Sequence, residues 1–377
     1  MSRNPNIEQP TTPDDDTIPV KMPPDQPGRP DEDEPDPPPQ GDPPNNEPTR
    51  ILAGYERERS RTLPLRRRGL RVSIALILSL VFGLGSYSAS IASDDKRKLA
   101  SGTPVLWKEP ADIETRDLFL GPGGDALKPD LSRVTFQQEK KGGYSTKYEV
   151  TDGSGKKWIV KVGKEAQPET VANRLLWAVG YFTEVSYLAP TVNIEGRGTV
   201  SNARFEARPD GVKRLGEWKW SDNPFIGTPQ LQGLKVMMLL LNNWDIKDSN
   251  NKILQTNDSE SGEAELRYII SDLGGTFGKT GGVLSRSRND YEDFAKARFI
   301  DHIQRGRVDF HYGGKRKDLF TKITAEQAAW IGRLLGRLSD QQIRDAFRAG
   351  NYSPEQIETL AQATRRRIDE LSGQGKP

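Results

Sequence analysis

The spacing of apolar positions changes period along the chain, and the changes mark its elements. Between residues 132 and 162 the period is two, which predicts strands over 132–139, 145–151 and 157–162. A glycine turn at 140–144 and a hairpin turn at 152–155 join them. In the third strand Trp158, Val160 and Val162 share one face, and Ile159 and Lys161 the other. The period then lengthens. Pro168 in a first turn, Val171, Leu175 and Val179 at helical spacing and Gly180 as a stop predict a helix. Weak alternation over 188–205 completes a small sheet, and 206–233 reads as the connection to a second lobe.

The second lobe opens on an uninterrupted apolar run, 234–241, long enough for most of a buried helix. A polar loop follows over 243–250, then a short apolar piece at 252–254 and a polar, hairpin-like spacer at 255–263. Residues 267–271 read as a buried strand ending at Asp272. The last part is helical, over 325–338, 340–349 and 354–371, with Gly350 and Gly373 as stops. Trp330, Ile331, Leu334, Leu335 and Leu338 form a core stripe, and 365–367, three arginines, reads as a solvated face.

Upstream the pattern is of another kind. Residues 1–50 hold 15 of the 27 prolines, with 12 acidic and 4 basic residues and almost no apolar side chains. Such a composition cannot bury enough surface to offset its ordering entropy, so a disordered tail is expected over 1–56. Residues 57–71 carry seven arginines, and 72–93 carry no charge at all. Those 22 residues suffice for a bilayer core of about 30 Å. With arginines before the span, the positive-inside rule puts the tail in the cytoplasm and the folded part across the membrane. A secretory signal is an equal reading, since the small residues at 88–92 suit a cleavage site. Residues 94–131, with Pro104, Pro110 and a Gly-Pro-Gly-Gly run, read as a linker with some docking through Trp107 and 118–120.

Composition removes several chemistries. The chain has no Cys, so disulfides and thiolate metal sites are impossible, and with two His, His302 and His311, His-based zinc sites and Ser-His-Asp catalysis have little support. A net charge of +2 without a basic–aromatic cluster gives no reason to expect nucleic acid.

The candidate chemistry lies in the second lobe. Asp245, Lys247 and Asn250 stand in the spacing Asp-X-Lys-X-X-Asn, and Asp272-Leu273-Gly274 follows 22 residues past Asn250. Phosphoryl transfer needs residues of these types: a carboxylate to orient the acceptor, a cation for the moving group and oxygen ligands for Mg²⁺. The spacing resembles the catalytic and metal-binding loops of the protein-kinase-like superfamily. Asn243-Trp244 replaces the usual His-Arg and Leu273 the usual Phe, as in atypical members such as bacterial toxin kinases, secretory-pathway kinases and lipid kinases. The strand ending at Lys161 resembles the Val-Ala-Ile-Lys strand of that family.

The resemblance implies an α+β, bilobal kinase-like fold: a small antiparallel β lobe with hinge over 132–233 and a helical large lobe over 234–377, behind the membrane span or signal segment. It implies ATP with Mg²⁺ between the lobes. Asp245 and Lys247 would be catalytic, Asn250 and Asp272 would hold metal, and Lys161 would grip the α/β-phosphates. Gly142 and Gly143 would cover the phosphates, and Ile159, on the Lys161 face, would touch the nucleotide. Glu169 is the natural partner for Lys161, with Glu165 and Glu184 as substitutes. The acceptor would be a hydroxyl of unspecified origin. A catalytically silent, nucleotide-binding scaffold of the cell envelope is the rival reading, and an envelope-structural protein that binds no nucleotide is a third.

Overall fold

Alternation in the first half of the chain becomes a closed barrel. The computed structural model describes residues 102–141, 145–258 and 261–373. The expectations attached to 1–56, 57–71 and 72–93 and to Gly142 and Gly143 lie outside the described residues. No helix among the described residues is long and apolar enough to cross a membrane.

A short strand β1 (Thr103–Val105) precedes β2 (Val134–Lys140), β3 (Lys147–Thr151), β4 (Lys157–Lys161), β5 (Ser186–Glu195) and β6 (Gly198–Ala207). The last five close in the order β2-β3-β4-β6-β5. Their pairings are antiparallel except where Val134 and Thr135 meet Ile194 and Glu195 in parallel. The sequence suggests only a small antiparallel sheet. Closure follows from the ten residues of β5, which carry its far end to β2, and it leaves neither strand as an open edge. Val134, Val150, Trp158, Val160, Ile194 and Phe205 fill the interior.

One carboxylate ties the barrel's turns. Asp152 accepts from the backbone N–H groups of Asp130, Ser154 and Lys156 and from Trp158 Nε1 at 2.8 Å. Burial pushes its carboxyl up, but these donors and the Ser154 hydroxyl outweigh burial and hold it below the ordinary aspartate range.

Helix α1 (Ala166–Ala178) interrupts the barrel strands, and β7 (Lys213–Gly216) leaves them for a second sheet. That sheet has the order β1-β9-β8-β7, with β8 (Asn251–Asn257) and β9 (Ala264–Ile270) forming a hairpin around the polar spacer. The apolar run forms α2 (Pro229–Leu240), capped by the Thr228 side chain and almost wholly buried. Then come α3 (Tyr291–Lys296), β10 (Ile300–Gln304), β11 (Arg307–Phe310), α4 (Ala325–Gly336), α5 (Asp340–Ala349) and α6 (Pro354–Leu371). The last three start at capping boxes on Thr324, Ser339 and Ser353, each with Gln at the third position. Their stripes, α1 and α2 share one core with the second sheet.

One expectation is widened and one corrected. The linker expected to dock through Trp107 and 118–120 is built into the fold over its described part, 102–131. β1 pairs in parallel with β9, Leu106, Ile113 and Leu118 are buried, and Trp107 Nε1 donates to the Val179 carbonyl at 2.7 Å. Gln342 on α5 donates to the carbonyls of Ile113 and Arg116. Anchors this sparse, set among prolines and glycines, leave no periodicity to read. The arginine triplet is not uniformly solvated either. Arg367 is 1% exposed and donates to the carbonyls of Leu240, Phe294 and Ala297.

Ile113→Ala is expected to destabilise the full chain by about 2–4 kcal/mol in urea denaturation, the range for deleting a buried aliphatic side chain. A peripheral linker residue would cost almost nothing. Asp152→Asn should be less stable than wild type above about pH 4. Because the folded-state pKa is depressed, that difference should shrink as pH falls through it. Denaturation at several pH values reads both.

Candidate active site

A lysine at the end of a barrel strand faces away from the barrel interior, because Trp158 and Val160 take the inner face of β4. Lys161 is 2% exposed. A buried ammonium is tolerated only with counter-charges, and three carboxylates surround this one. Its Nζ lies 2.7 Å from Glu169 Oε2, 2.8 Å from Glu165 Oε2 and 3.2 Å from Asp272 Oδ1. Burial works against its charge, but Glu169, Asp272 and Glu165 together hold the lysine above its ordinary range. Both glutamates stand at the start of α1, Glu165 at the N-cap position and Glu169 in the first turn. The sequence left the partner open among Glu169, Glu165 and Glu184. The structure pairs the first two with Lys161 and places Glu184 elsewhere, against Arg214 at 2.8 Å and the Ser271 hydroxyl. Ile159 is half-buried on the Lys161 face of β4 and belongs to neither apolar core.

The strand-end motif meets this cluster at close range. Leu273 is fully buried in the core, which turns its neighbours outward. Gly274 has no room for a side chain, since a Cβ there would come 2.6 Å from Glu165 Cβ. At Gly275 a Cβ would come 3.1 Å from Asp245 Cβ. The two glycines thus let the stretch after β9 fit between the start of α1 and the 243–250 loop. The Trp244 N–H donates to the Gly275 carbonyl at 3.2 Å, which fixes the loop against the motif.

Within the loop, Asp245 is engaged on both oxygens. Lys315 Nζ is 2.8 Å from Oδ1 and Lys247 Nζ 3.0 Å from Oδ2. The Asn250 amide nitrogen donates to the Asp245 carbonyl at 2.8 Å, which leaves Asn250 Oδ1 free of that bond. Asp272 keeps its side chain 39% exposed, and its Oδ1 accepts from Lys161 and the Gly274 N–H. Burial pushes the Asp272 carboxyl up, but Lys161 and Gly274 outweigh it and hold it below the ordinary range. Asn250 Oδ1 and Asp272 Oδ2 are hard oxygen donors of the kind Mg²⁺ takes together with substrate phosphates. Among the described residues no three His, Asp or Glu side chains form a metal site by themselves. Asp245, Lys247, Asn250, Asp272, Lys161 and Glu169 therefore gather in one region. His302 and His311 lie outside it, half-exposed and paired with Asp309 and Asp301.

Three contributors escape sequence reasoning. Lys315 arrives from beyond β11, held by its own N–H to the Trp244 carbonyl and by Tyr312 Oη, which donates to the carbonyls of Asn243 and Lys315. Its only local signal is the Gly313-Gly314 pair, where a Cβ on Gly314 would come 2.7 Å from Trp244 Cα. Arg204 lies opposite Lys161 on β6 and reaches Glu169 at 3.2 Å. Arg288, in the basic stretch after the motif, reaches Glu165 at 2.6 Å. That stretch is held to the loop by Trp244 Nε1, which donates to the Ser287 carbonyl at 3.0 Å.

A barrel lobe and a helical lobe, with a strand lysine meeting a strand-end aspartate beside a loop aspartate, make up a mixed α+β fold. No family model and no curated protein matches the chain. Among solved structures it is similar to a proinflammatory kinase of Helicobacter pylori, CtkA, at 14% identity and a TM-score of 0.43, over 65% of this chain and 96% of that one. A Golgi casein kinase with Mn and ADP bound matches at 10% identity and 0.37, over 66% and 73%. The Rio2 kinase of Chaetomium thermophilum, in an ADP/Mg²⁺-phosphoaspartate complex, matches at 13% and 0.27, over 65% and 74%. These overlaps are loose; the strand order and the side-chain contacts define the fold.

Glu169→Gln removes the charge shared by two buried cations, Lys161 and Arg204. Breaking such a group should cost about 3–5 kcal/mol in chemical denaturation. A loss under about 1 kcal/mol would show that Glu165 and Asp272 suffice.

Proposed function

We propose that the chain is an ATP- and Mg²⁺-dependent phosphotransferase acting on a hydroxyl-bearing acceptor. The contact between Lys161 and Asp272 carries the reading. It brings a phosphate-binding cation beside a carboxylate suited to the cation that accompanies the nucleotide. Lys161 would exchange part of its carboxylate shell for the α/β-phosphates, and Asp272, the most exposed of its three partners, is the one to release. Asn250 and Asp272 would hold Mg²⁺, which supplies charge neutralisation to the transferring group. Asp245 would orient the acceptor hydroxyl, with Lys247 beside it stabilising negative charge. Catalysis of this kind is positioning plus preorganised electrostatics.

One observation favours a second reading, a nucleotide-binding scaffold without turnover. Both oxygens of Asp245 are taken by lysines, so the acceptor carboxylate is not free in this state. We also place the kinase-like part across a membrane from its N-terminal tail, on the strength of the seven arginines before the uncharged 72–93. Cleavage of that segment as a signal is the alternative. A reporter fused to the C-terminus that is active only in the cytoplasm would overturn both.

The purified full chain should bind ATP in calorimetry with Mg²⁺ and much less without it. Asp272→Ala should weaken Mg²⁺-dependent binding at least about tenfold, the least that loss of even an outer support of a ligand brings. Asp245→Asn should keep nucleotide affinity and lower labelled-phosphate transfer roughly 10²–10⁴-fold. Binding without transfer by the wild type supports the scaffold reading. Absence of nucleotide binding removes both.

A further inference from the structure

Five residues beyond Glu169 on α1 lies a cation of a different kind. Arg174 is 1% exposed, and its Nη2 donates to the Ser186 carbonyl at 2.6 Å. Its Nε and Nη1 are buried and have no hydrogen-bond partner among the described residues. Among the described residues no carboxylate reaches it as an ion pair; Asp117 acts only at longer range. Burial pulls the guanidinium down to about 10. Lys161 and Arg204, equally buried, are matched by carboxylates. Arg174 is a buried charge still lacking its anion, an arrangement that is costly unless an anion joins it.

The surroundings are built as a pocket. Gly121, at φ +71°, lies against the guanidinium, and a Cβ there would stand 2.4 Å from both Nε and Nη1. Only glycine suits that backbone and packs so closely on the guanidinium. Arg174 lines a cavity of about 340 Å³ walled by Phe119, Leu120, Leu131, Tyr187 and Pro190. Its other charged lining residues are Lys128 and Arg348, and no acidic residue lines it. Those two are already paired, with Asp125 at 2.7 Å and Asp345 at 2.6 Å. The volume and the mostly apolar wall are those of a small-molecule site, in which a few polar groups fix orientation.

We propose that this cavity binds a small apolar monocarboxylate, with its carboxylate on Arg174 and its hydrocarbon or aryl body against Phe119, Leu131, Tyr187 and Pro190. One unpaired buried cation matches one negative charge. A dianionic phosphate would bring a second charge that the apolar wall leaves unanswered. The site stands apart from the phosphotransferase reading, since neither its residues nor its ligand involve Lys161, Asp245 or Asp272.

The test is calorimetric titration of the full chain, without nucleotide, by 4-phenylbutyrate, its neutral isostere 4-phenylbutanol, and acetate. Phenylbutyrate should bind at one per chain, and each of the others at least about tenfold more weakly, since a charge-assisted hydrogen bond or the apolar body is lost. Arg174→Met should erase the preference for acid over alcohol. Lys128→Gln and Arg348→Gln, which change exposed ion pairs, should alter affinity by less than about fivefold. No saturable phenylbutyrate binding, equal binding of acid and alcohol, or a preference that survives Arg174→Met would each overturn the proposal. The three wild-type titrations decide the matter if Arg174→Met fails to fold.

Discussion

A lysine ammonium withdrawn from water governs how this molecule is put together. Lys161 is stable in the interior only because the start of α1 and the end of β9 both bring carboxylates to it. That demand fixes the distance between barrel and second sheet. It also continues outward. Arg204 shares Glu169 with Lys161 and binds Glu206, which binds Arg208 and Arg214. Arg214 binds Glu184, which accepts from Ser271, the residue before Asp272. The chain of contacts therefore leaves from Asp272 and comes back to the residue before it, Ser271. Buried ion pairs of this sort contribute little net stability against an apolar alternative, but they tolerate few geometries.

Around that loop the basic segment after the motif is answered rather than left to repel. Arg286 and Arg288 stack on the Trp244 ring at 4.1 and 4.9 Å. Trp244 occupies the position just before Asp245, so an aromatic platform, rather than a charged neighbour, supports the loop. Arg288 reaches past it to Glu165, which joins the segment to the shell of Lys161.

Much of this arrangement was readable in one dimension because it follows from local periods. The alternation in β4 assigns Trp158 and Val160 to one face and Lys161 to the other, and the apolar run of α2 and the capped stripes of α4 to α6 come from short-range pattern. What escaped depends on contacts across long separations. Lys315 reaches Asp245 from 70 positions away, with only a glycine pair to mark it. The choice between Glu165 and Glu169 turned out to be no choice, because the start of α1 presents both, one at the N-cap and one in the first turn. The docked segment 102–131 showed only Trp107 and 118–120 as docks, because Leu106 and Ile113 stand singly and no window of sequence reveals a face. Barrel closure needs the register of β2 against β5, which no local pattern encodes.

The pairing of β1 with β9 has a mechanical side. Thr103, Pro104 and Val105 run alongside Glu265, Leu266 and Arg267 in the same direction. Tension applied to the chain ahead of Thr103 would load those rungs together in shear rather than peel them apart in turn. The strand sharing that load, β9, ends at Ile270, two residues before Asp272. A pull on the leading segment would thus be felt, along the backbone from Arg267 to Asp272, at the carboxylate beside Lys161.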